Sequence, residues 1–266
     1  MPDVVRLEYR NVTMRFAQSG NRGVLTAVQD VSFAVRDGEV VSLIGPSGCG
    51  KSTLLNIGSG LAAPSQGEAF VDGERVAGPN AHVAFMLQKD LLLPWRTVAE
   101  NVTFGVEIQG VPAAERSKRA QALLANFNLA EFSQHYPHQL SGGMRQRVAL
   151  ARTLAVDPHV LLLDEPFSAV DAQTRIVLQR DLARTLMQAG KTALLITHDL
   201  AEAVLMADRV LVMSPRPGRI TDEIKIDMPH RDDPIARRAD ARLGDYVATL
   251  MSRLHIGEAD ALASTA

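Results

Sequence analysis

The stretch Gly45-Pro46-Ser47-Gly48-Cys49-Gly50-Lys51-Ser52, with Thr53 behind it, constrains this chain more than any other, because it matches the spacing G-x-x-x-x-G-K-[ST] in full. Val40-Val41-Ser42-Leu43-Ile44 before it is an apolar run expected to form a buried strand, and Ser52-Thr53-Leu54-Leu55-Asn56-Ile57 is expected to open a helix. Glycines let successive backbone N–H groups turn inward with no Cβ in the way. The helix adds its unpaired N–H groups and the positive end of its dipole. Such a loop is expected to hold a triphosphate, with Lys51 on the β- and γ-phosphates and the Ser52 hydroxyl on Mg²⁺. The alternative, a glycine turn that meets a helix by chance, is disfavoured by the strand in front.

The strand and helix patterns go on alternating after the loop. Strands are expected at 160–163, 192–196 and 209–213, and helices at 141–156, at 174–189 and after Asp199, where Glu202 three residues on suggests a capping box. Alternation of this kind argues for a mainly parallel sheet, whose ligands bind at the carboxyl ends of the strands. The chemistry is therefore expected just after Ile44, Leu163 and Ile196. Ahead of the loop, 4–9, 12–16 and 31–35 are expected as short strands around a glycine- and polar-rich connection at 18–23, and 67–73 as a strand ending in an Asp-Gly turn. Together they would make an antiparallel edge.

Between 91 and 136 the pattern turns helical, with Ala120, Leu123, Leu124 and Phe127 at helical spacing. The expected organisation is one α/β domain over 1–230 with a helical lobe inserted at about 91–156. A charged, alanine-rich helical tail over 231–266 would pack on it through Val247, Leu250, Met251 and Leu254. A chain of 266 residues is long enough for such a domain and its core.

Formal net charge is only -2, which provides no basic field and argues against nucleic acid as the main partner. The single cysteine, Cys49, excludes an internal disulfide and fits a reducing compartment. The first residues lack a basic stretch followed by an apolar run, and no apolar stretch reaches the roughly 20 residues of a membrane span. A soluble chain that meets a membrane only through a partner is expected.

Val160-Leu161-Leu162-Leu163-Asp164-Glu165 is a strand ending in two carboxylates, which alternation along the strand should point in different directions. Asp164 is expected to support Mg²⁺, and Glu165 to orient and deprotonate the attacking water. His198, after Leu194-Leu195-Ile196-Thr197, is placed to donate to the γ-phosphate and hold that water in line. Gln88, after an expected strand at 82–87, offers an amide oxygen to Mg²⁺ and an amide nitrogen to water.

A second helix start, Leu140-Ser141-Gly142-Gly143-Met144-Arg145-Gln146-Arg147, combines a serine cap with glycines that bare the backbone N–H groups, and so suits an anion. One triphosphate already fills the first loop. A second site this far along the chain suggests a ligand shared between two copies, although an ordinary serine cap would look the same.

With these motifs together, the sequence resembles the nucleotide-binding subunit of an ATP-binding cassette (ABC) transporter, from about Leu7 to Asp227. In that resemblance the loop at 45–53 is the Walker A motif, 160–164 the Walker B strand and Leu140 to Gln146 the family signature, with Met144 where Gln is common. Gln88 takes the Q-loop position, Ser168-Ala169-Val170-Asp171 the D-loop and His198 the switch histidine. The resemblance implies an α/β P-loop fold with a mainly parallel core sheet, an N-terminal antiparallel β subdomain and an inserted α-helical subdomain. It also implies ATP and Mg²⁺, and a head-to-tail homodimer in which Ser141, Gly142 and Gly143 of one copy cover ATP held by the Walker A loop of the other. Asp171 belongs to the same contact. An aromatic residue is expected to stack on adenine; Phe16 is the matching candidate and Tyr9 its rival.

Leu91-Leu92-Leu93-Pro94-Trp95-Arg96-Thr97-Val98-Ala99-Glu100-Asn101-Val102 and Met213-Ser214-Pro215-Arg216-Pro217-Gly218-Arg219-Ile220 are similar to the ATPases of bacterial nitrate, sulfonate and taurine importers. This implies hydrolysis coupled to uptake of a small anionic solute, two integral-membrane permease subunits, an extracytoplasmic solute-binding protein, and a peripheral position on the cytoplasmic face of the inner membrane. Leu92 and Trp95 are candidate contacts for a permease helix, or else core residues. Another transporter type, or a soluble ABC protein acting on nucleic acid, is the alternative reading.

Overall fold

A computed structural model describes residues 4–17 and 23–256. The first three residues, most of the connection expected at 18–23 and the end of the tail lie outside the described residues.

Two sheets share the chain. β1 (Val5–Ala17) and β2 (Val24–Arg36) pair antiparallel, and β4 (Gln66–Val71) and β5 (Glu74–Arg75) extend them into a four-stranded sheet of order β2-β1-β4-β5, with β3 (Val40–Ile44) lying between β2 and β4 in sequence. The sequence reading splits β1 at residues 10–11. One strand passes through instead, because Asn11 takes a left-handed φ of 51° and the pairing register shifts there as at a bulge. The Asp72-Gly73 turn forms as expected, with φ of 51° and 79°.

The second sheet is built around β3 and completed by β6 (Val83–Met86), β7 (Val160–Asp164), β8 (Thr192–Ile196), β9 (Arg209–Met213) and β10 (Ile220–Lys225), in the order β10-β9-β3-β8-β7-β6. All pairings are parallel except β9 with β10. Its strands read as unbroken apolar runs because both faces are covered. Leu161, Leu163, Ala193, Leu195, Val210 and Val212 face a helical core, whereas Leu162, Leu194, Ile196, Leu211 and Met213 face the four-stranded sheet and helix α1 (Lys51–Gly58).

The helical side comprises α2 (Val98–Ile108), α3 (Ala113–Asn126), α4 (Gly142–Ala155), α5 (Ala172–Gln188), α6 (Leu200–Met206), α7 (Pro234–Arg238) and α8 (Arg242–Arg253). Thr97 and Glu100 form a full capping box on α2. The box expected on α6 is only half made: Asp199 accepts from the Glu202 N–H, but the Glu202 carboxylate turns inward to Gln179. Of the tail residues expected to pack, Leu250 is fully buried while Met251 is exposed. Leu92 lies in the core and Trp95 is 71% exposed, so only Trp95 is left as a surface contact.

Candidate functional site

Parallel pairing carries the ends of β3, β6, β7 and β8 to one edge of the sheet. Met86 pairs with Leu163, Asp164 with Ile196 and Leu43 with Ile196, so the residues that follow each strand converge on the glycine loop. Within the loop, Gly48 and Gly50 take φ of 75° and 107°, and a Cβ on Gly50 would lie 2.3 Å from the Val28 side chain. Only glycine fits there. Helix α1 then starts at Gly50 with no capping side chain and no acidic residue in its first turn, which leaves its N-terminal N–H groups to an anion. Lys51 is 9% exposed and folds back on the loop, its Nζ donating to the Gly45 carbonyl at 2.7 Å and the Pro46 carbonyl at 3.1 Å.

A cavity of about 310 Å³ opens over this loop, lined by Ser47, Gly48, Gly50, Lys51, Ser52 and Thr53 from the loop and by Phe16, Leu25, Ala27, Glu165, Ile196 and Arg216 from around it. Phe16 is 43% exposed, a ring available at the rim. Tyr9 is not: it is 1% exposed, stacks on Phe33 and donates its hydroxyl to the Leu54 carbonyl at 2.8 Å. Cys49 is buried within the loop, 3.9 Å from the Lys51 Nζ.

Glu165 takes a left-handed φ of 47° immediately after β7, a conformation of the kind that concentrates at functional sites. Its Oε2 accepts from Gln88 Nε2 at 3.0 Å and lies 3.3 Å from His198 Nδ1. Asp164 points elsewhere, as strand alternation requires. Burial foremost, and then the neighbouring Glu165 charge, push the Asp164 carboxyl above the usual range, against the opposing pull of the Ser52 hydroxyl and Lys51. A half-buried carboxylate and a hydroxyl, hard oxygen donors beside a second carboxylate, form a set that suits Mg²⁺.

Ser141, Gly142, Gly143 and Asp171 are not among the residues around this cavity. Ser141 caps α4, accepting from the Met144 N–H, and Gly142 lines a separate concavity with Gln88, Asp90 and Arg145. Asp171 caps α5 through the N–H groups of Gln173 and Thr174. Gly45 and Pro46 shape the loop without lining the cavity. Sequence reasoning missed Arg216 as a site residue: it donates to the Gly48 carbonyl through Nε at 3.1 Å and Nη2 at 2.8 Å, holding the outer side of the loop. Its place just past β9, which pairs directly with β3, brings it there.

Three strand ends meeting at one glycine loop, with a glycine-started, serine-capped helix left outside the cavity, define a P-loop ATPase of the cassette class. Residues 28–168 match the family described as ABC transporter. The chain is 46% identical over 229 residues to an uncharacterized ABC transporter ATP-binding protein of Methanocaldococcus jannaschii, covering 86% of this chain and 85% of that one. It is 45% identical over 229 residues to the taurine import ATP-binding protein TauB of Jannaschia sp. (strain CCS1), covering 86% and 84%. Its structure matches the dimeric post-hydrolysis state of the ATP-binding cassette MJ0796 bound to ADP and Pi with a TM-score of 0.74 at 32% identity, covering 84% of this chain and 99% of the other. The chain belongs to the ABC transporter family and is one of its ATPases.

Proposed function

We propose that this ATPase subunit of an ABC importer couples hydrolysis of Mg-ATP to the uptake of a small anionic solute of the sulfonate type, working as a homodimer on two permease subunits and an extracytoplasmic solute-binding protein. The observation that carries the catalytic part is the convergence of Gln88 and His198 on one carboxylate oxygen of Glu165 beside the phosphate loop.

On this reading residues 1–230 form the ATP-binding domain, with the helical lobe at about 91–156, and 231–266 a tail. ATP lies with its phosphates on the loop of Gly45, Pro46, Ser47, Gly48, Cys49, Gly50, Lys51, Ser52 and Thr53, and its adenine against Phe16. Ser52, Asp164 and the Gln88 amide oxygen hold Mg²⁺, which neutralises phosphate charge when bound. Glu165 takes a proton from water as the water oxygen bonds to the γ-phosphorus, and the bond to the β,γ-bridging oxygen breaks to leave ADP and phosphate. His198 holds the γ-phosphate and the water in line.

On this reading Ser141, Gly142, Gly143 and Asp171 reach a nucleotide only from a second copy. The MJ0796 cassette to which the fold is similar is a dimer. Trp95, exposed in the segment ahead of α2, is the proposed permease contact. No described helix is long and apolar enough to cross a membrane, and the proposed location is the cytoplasmic face of the inner membrane, against the permease.

The name of the TauB relatives supports the solute class. The test is to co-purify the complex from its native host, identify the permease and receptor, and measure which solute stimulates hydrolysis. Stimulation by a small sulfonate through the receptor is expected. Stimulation only by an unrelated solute, or by nucleic acid, overturns the assignment.

A further inference from the structure

We infer that Asp72, His82 and His159 form a binding site for one divalent transition-metal ion of the Zn²⁺ class, at the end of the core sheet opposite the phosphate loop. His82 and His159 stand immediately before β6 and β7, the strands whose far ends lead to Gln88 and to Asp164 and Glu165. Asp72 comes from the turn between β4 and β5 of the other sheet. The three share no role with the nucleotide site.

The geometry is that of ligands aimed at a common point. Oδ2 of Asp72 lies 2.8 Å from Nδ1 of His82 and 2.6 Å from Nδ1 of His159, and the two ring nitrogens are 3.0 Å apart. The rings meet at 88°, so neither blocks the other's approach. An ion roughly 2.0–2.1 Å from each of the three atoms sits about 1.2 Å to one side of that triangle, with all three ligands on one face of it.

Hydrogen bonding alone serves this cluster poorly. If both Nδ1 atoms carry hydrogen, each donates to the Asp72 oxygen but the two N–H groups crowd each other at 3.0 Å; if only one does, the bare nitrogen turns its lone pair on the carboxylate oxygen; if neither does, three lone pairs converge. A cation bound by all three removes each of these conflicts. The surroundings hold the ligands in place: Arg6 Nη1 donates to the other Asp72 oxygen at 2.7 Å, and the His159 and Val160 N–H groups donate to the His82 carbonyl at 2.9 and 3.0 Å. Both imidazoles are exposed, which leaves positions for water on the ion. Two imidazoles and one carboxylate favour Zn²⁺, Co²⁺ or Ni²⁺ over Mg²⁺ or Ca²⁺. Bound there, the ion would staple the antiparallel sheet to the start of the two strands that carry catalytic groups.

The test uses the full-length, nucleotide-free protein. Titration with Zn²⁺ against a chromophoric chelator is expected to give one ion per chain, undisplaced by excess Mg²⁺, and a higher Tm with zinc. His82→Ala and His159→Ala, singly and together, should weaken binding at least tenfold and abolish the zinc-dependent rise in Tm, while Mg-ATP hydrolysis without zinc stays at the parent rate. No stoichiometric zinc uptake, or unchanged affinity in the double variant, overturns the proposal. Should the double variant fail to fold, the absorption spectrum of Co²⁺ with the unaltered chain decides: new ligand-field bands support the site, and the spectrum of hydrated Co²⁺ overturns it.

Discussion

His198 Nδ1 lies 3.3 Å from Oε2 of Glu165, and Gln88 Nε2 donates to that same oxygen at 3.0 Å. A carboxylate gripped from two sides by groups on separate strand ends is oriented before any water arrives. Replacing Glu165 by Gln keeps the shape and removes the base. Hydrolysis should fall by roughly 10²–10⁴-fold, while ATP binding persists and an ATP-stabilised dimer accumulates on size exclusion. Turnover at the parent rate would remove Glu165 from the base role.

The Lys51 ammonium is proposed to meet the phosphates, and its bonds to the Gly45 and Pro46 carbonyls show that the side chain reaches back over the loop. Lys51→Ala should weaken ATP binding by roughly 1.5–3 kcal/mol, tenfold or more, as expected for a lost charge-assisted hydrogen bond. Unchanged affinity in a fluorescent-nucleotide titration would argue against the phosphate contact.

Phe16 and Tyr9 should separate by readout. The Tyr9 hydroxyl is spent inside the protein on the Leu54 carbonyl and sits against Gly58, where a Cβ would come within 2.2 Å of it. Tyr9→Phe should therefore cost about 1 kcal/mol of stability and leave nucleotide affinity alone. Phe16→Ala should do the reverse, weakening ATP binding with little change in urea midpoint. Equal ATP affinity in Phe16→Ala and the parent would exclude Phe16 as the adenine platform.

Which parts of this were legible in the sequence follows from how local their causes are. β7, β8 and β9 are found within a residue because strands covered on both faces are continuous apolar runs. The positions of Gln88, Glu165 and His198 follow from strand ends on a parallel sheet. What stayed hidden depends on which strands lie side by side: Arg216 reaches Gly48 across 168 residues of chain, and His159 reaches Asp72 across 87. No local pattern encodes such pairs. Glu202 shows the other kind of miss, because the capping spacing is present but the buried Gln179 competes for its carboxylate and wins.

Glu202 is 4% exposed, and its carboxyl is pushed above the usual range, first by burial and to a lesser degree by the Asp199 charge, against hydrogen bonds from Thr197 and Gln179. The folded state therefore holds this proton more tightly than the unfolded chain, whose glutamates titrate near pH 4.3. The stability due to that tighter binding is full below about pH 4.3 and is lost as pH rises through the folded value. Glu202→Gln cannot titrate, so its stability relative to the parent should be flat at the acid end and increase as pH rises through that window. Urea midpoints for both proteins at a series of pH values measure this; a stability of Glu202→Gln minus that of the parent that falls with rising pH would contradict it.

Arg237 ties α7 to α6 and to the segment before α7, and its hydrogen-bond partners are all carbonyls. At 2% exposure it donates to Val204, Leu205 and Ala207 at the end of α6 and to Met228 and Pro229 before α7, over 2.8–3.2 Å. A cation at a helix C-terminus meets the negative end of the dipole and satisfies carbonyls that no N–H of the helix can reach. Burial pulls its pKa down, yet a guanidinium stays charged at any pH the protein meets. Arg237→Met keeps most of the volume and removes every donor, so it should destabilise the chain by roughly 3 kcal/mol or more, each orphaned carbonyl adding its own desolvation cost. Arg237→Lys should recover only part, since one ammonium cannot span the same fork. Because α6 begins two residues after His198, the loosened helix should also show faster amide exchange in its last turn, with the phosphate loop unaffected. If Arg237→Met melts like the parent, packing rather than hydrogen bonding holds the tail in place.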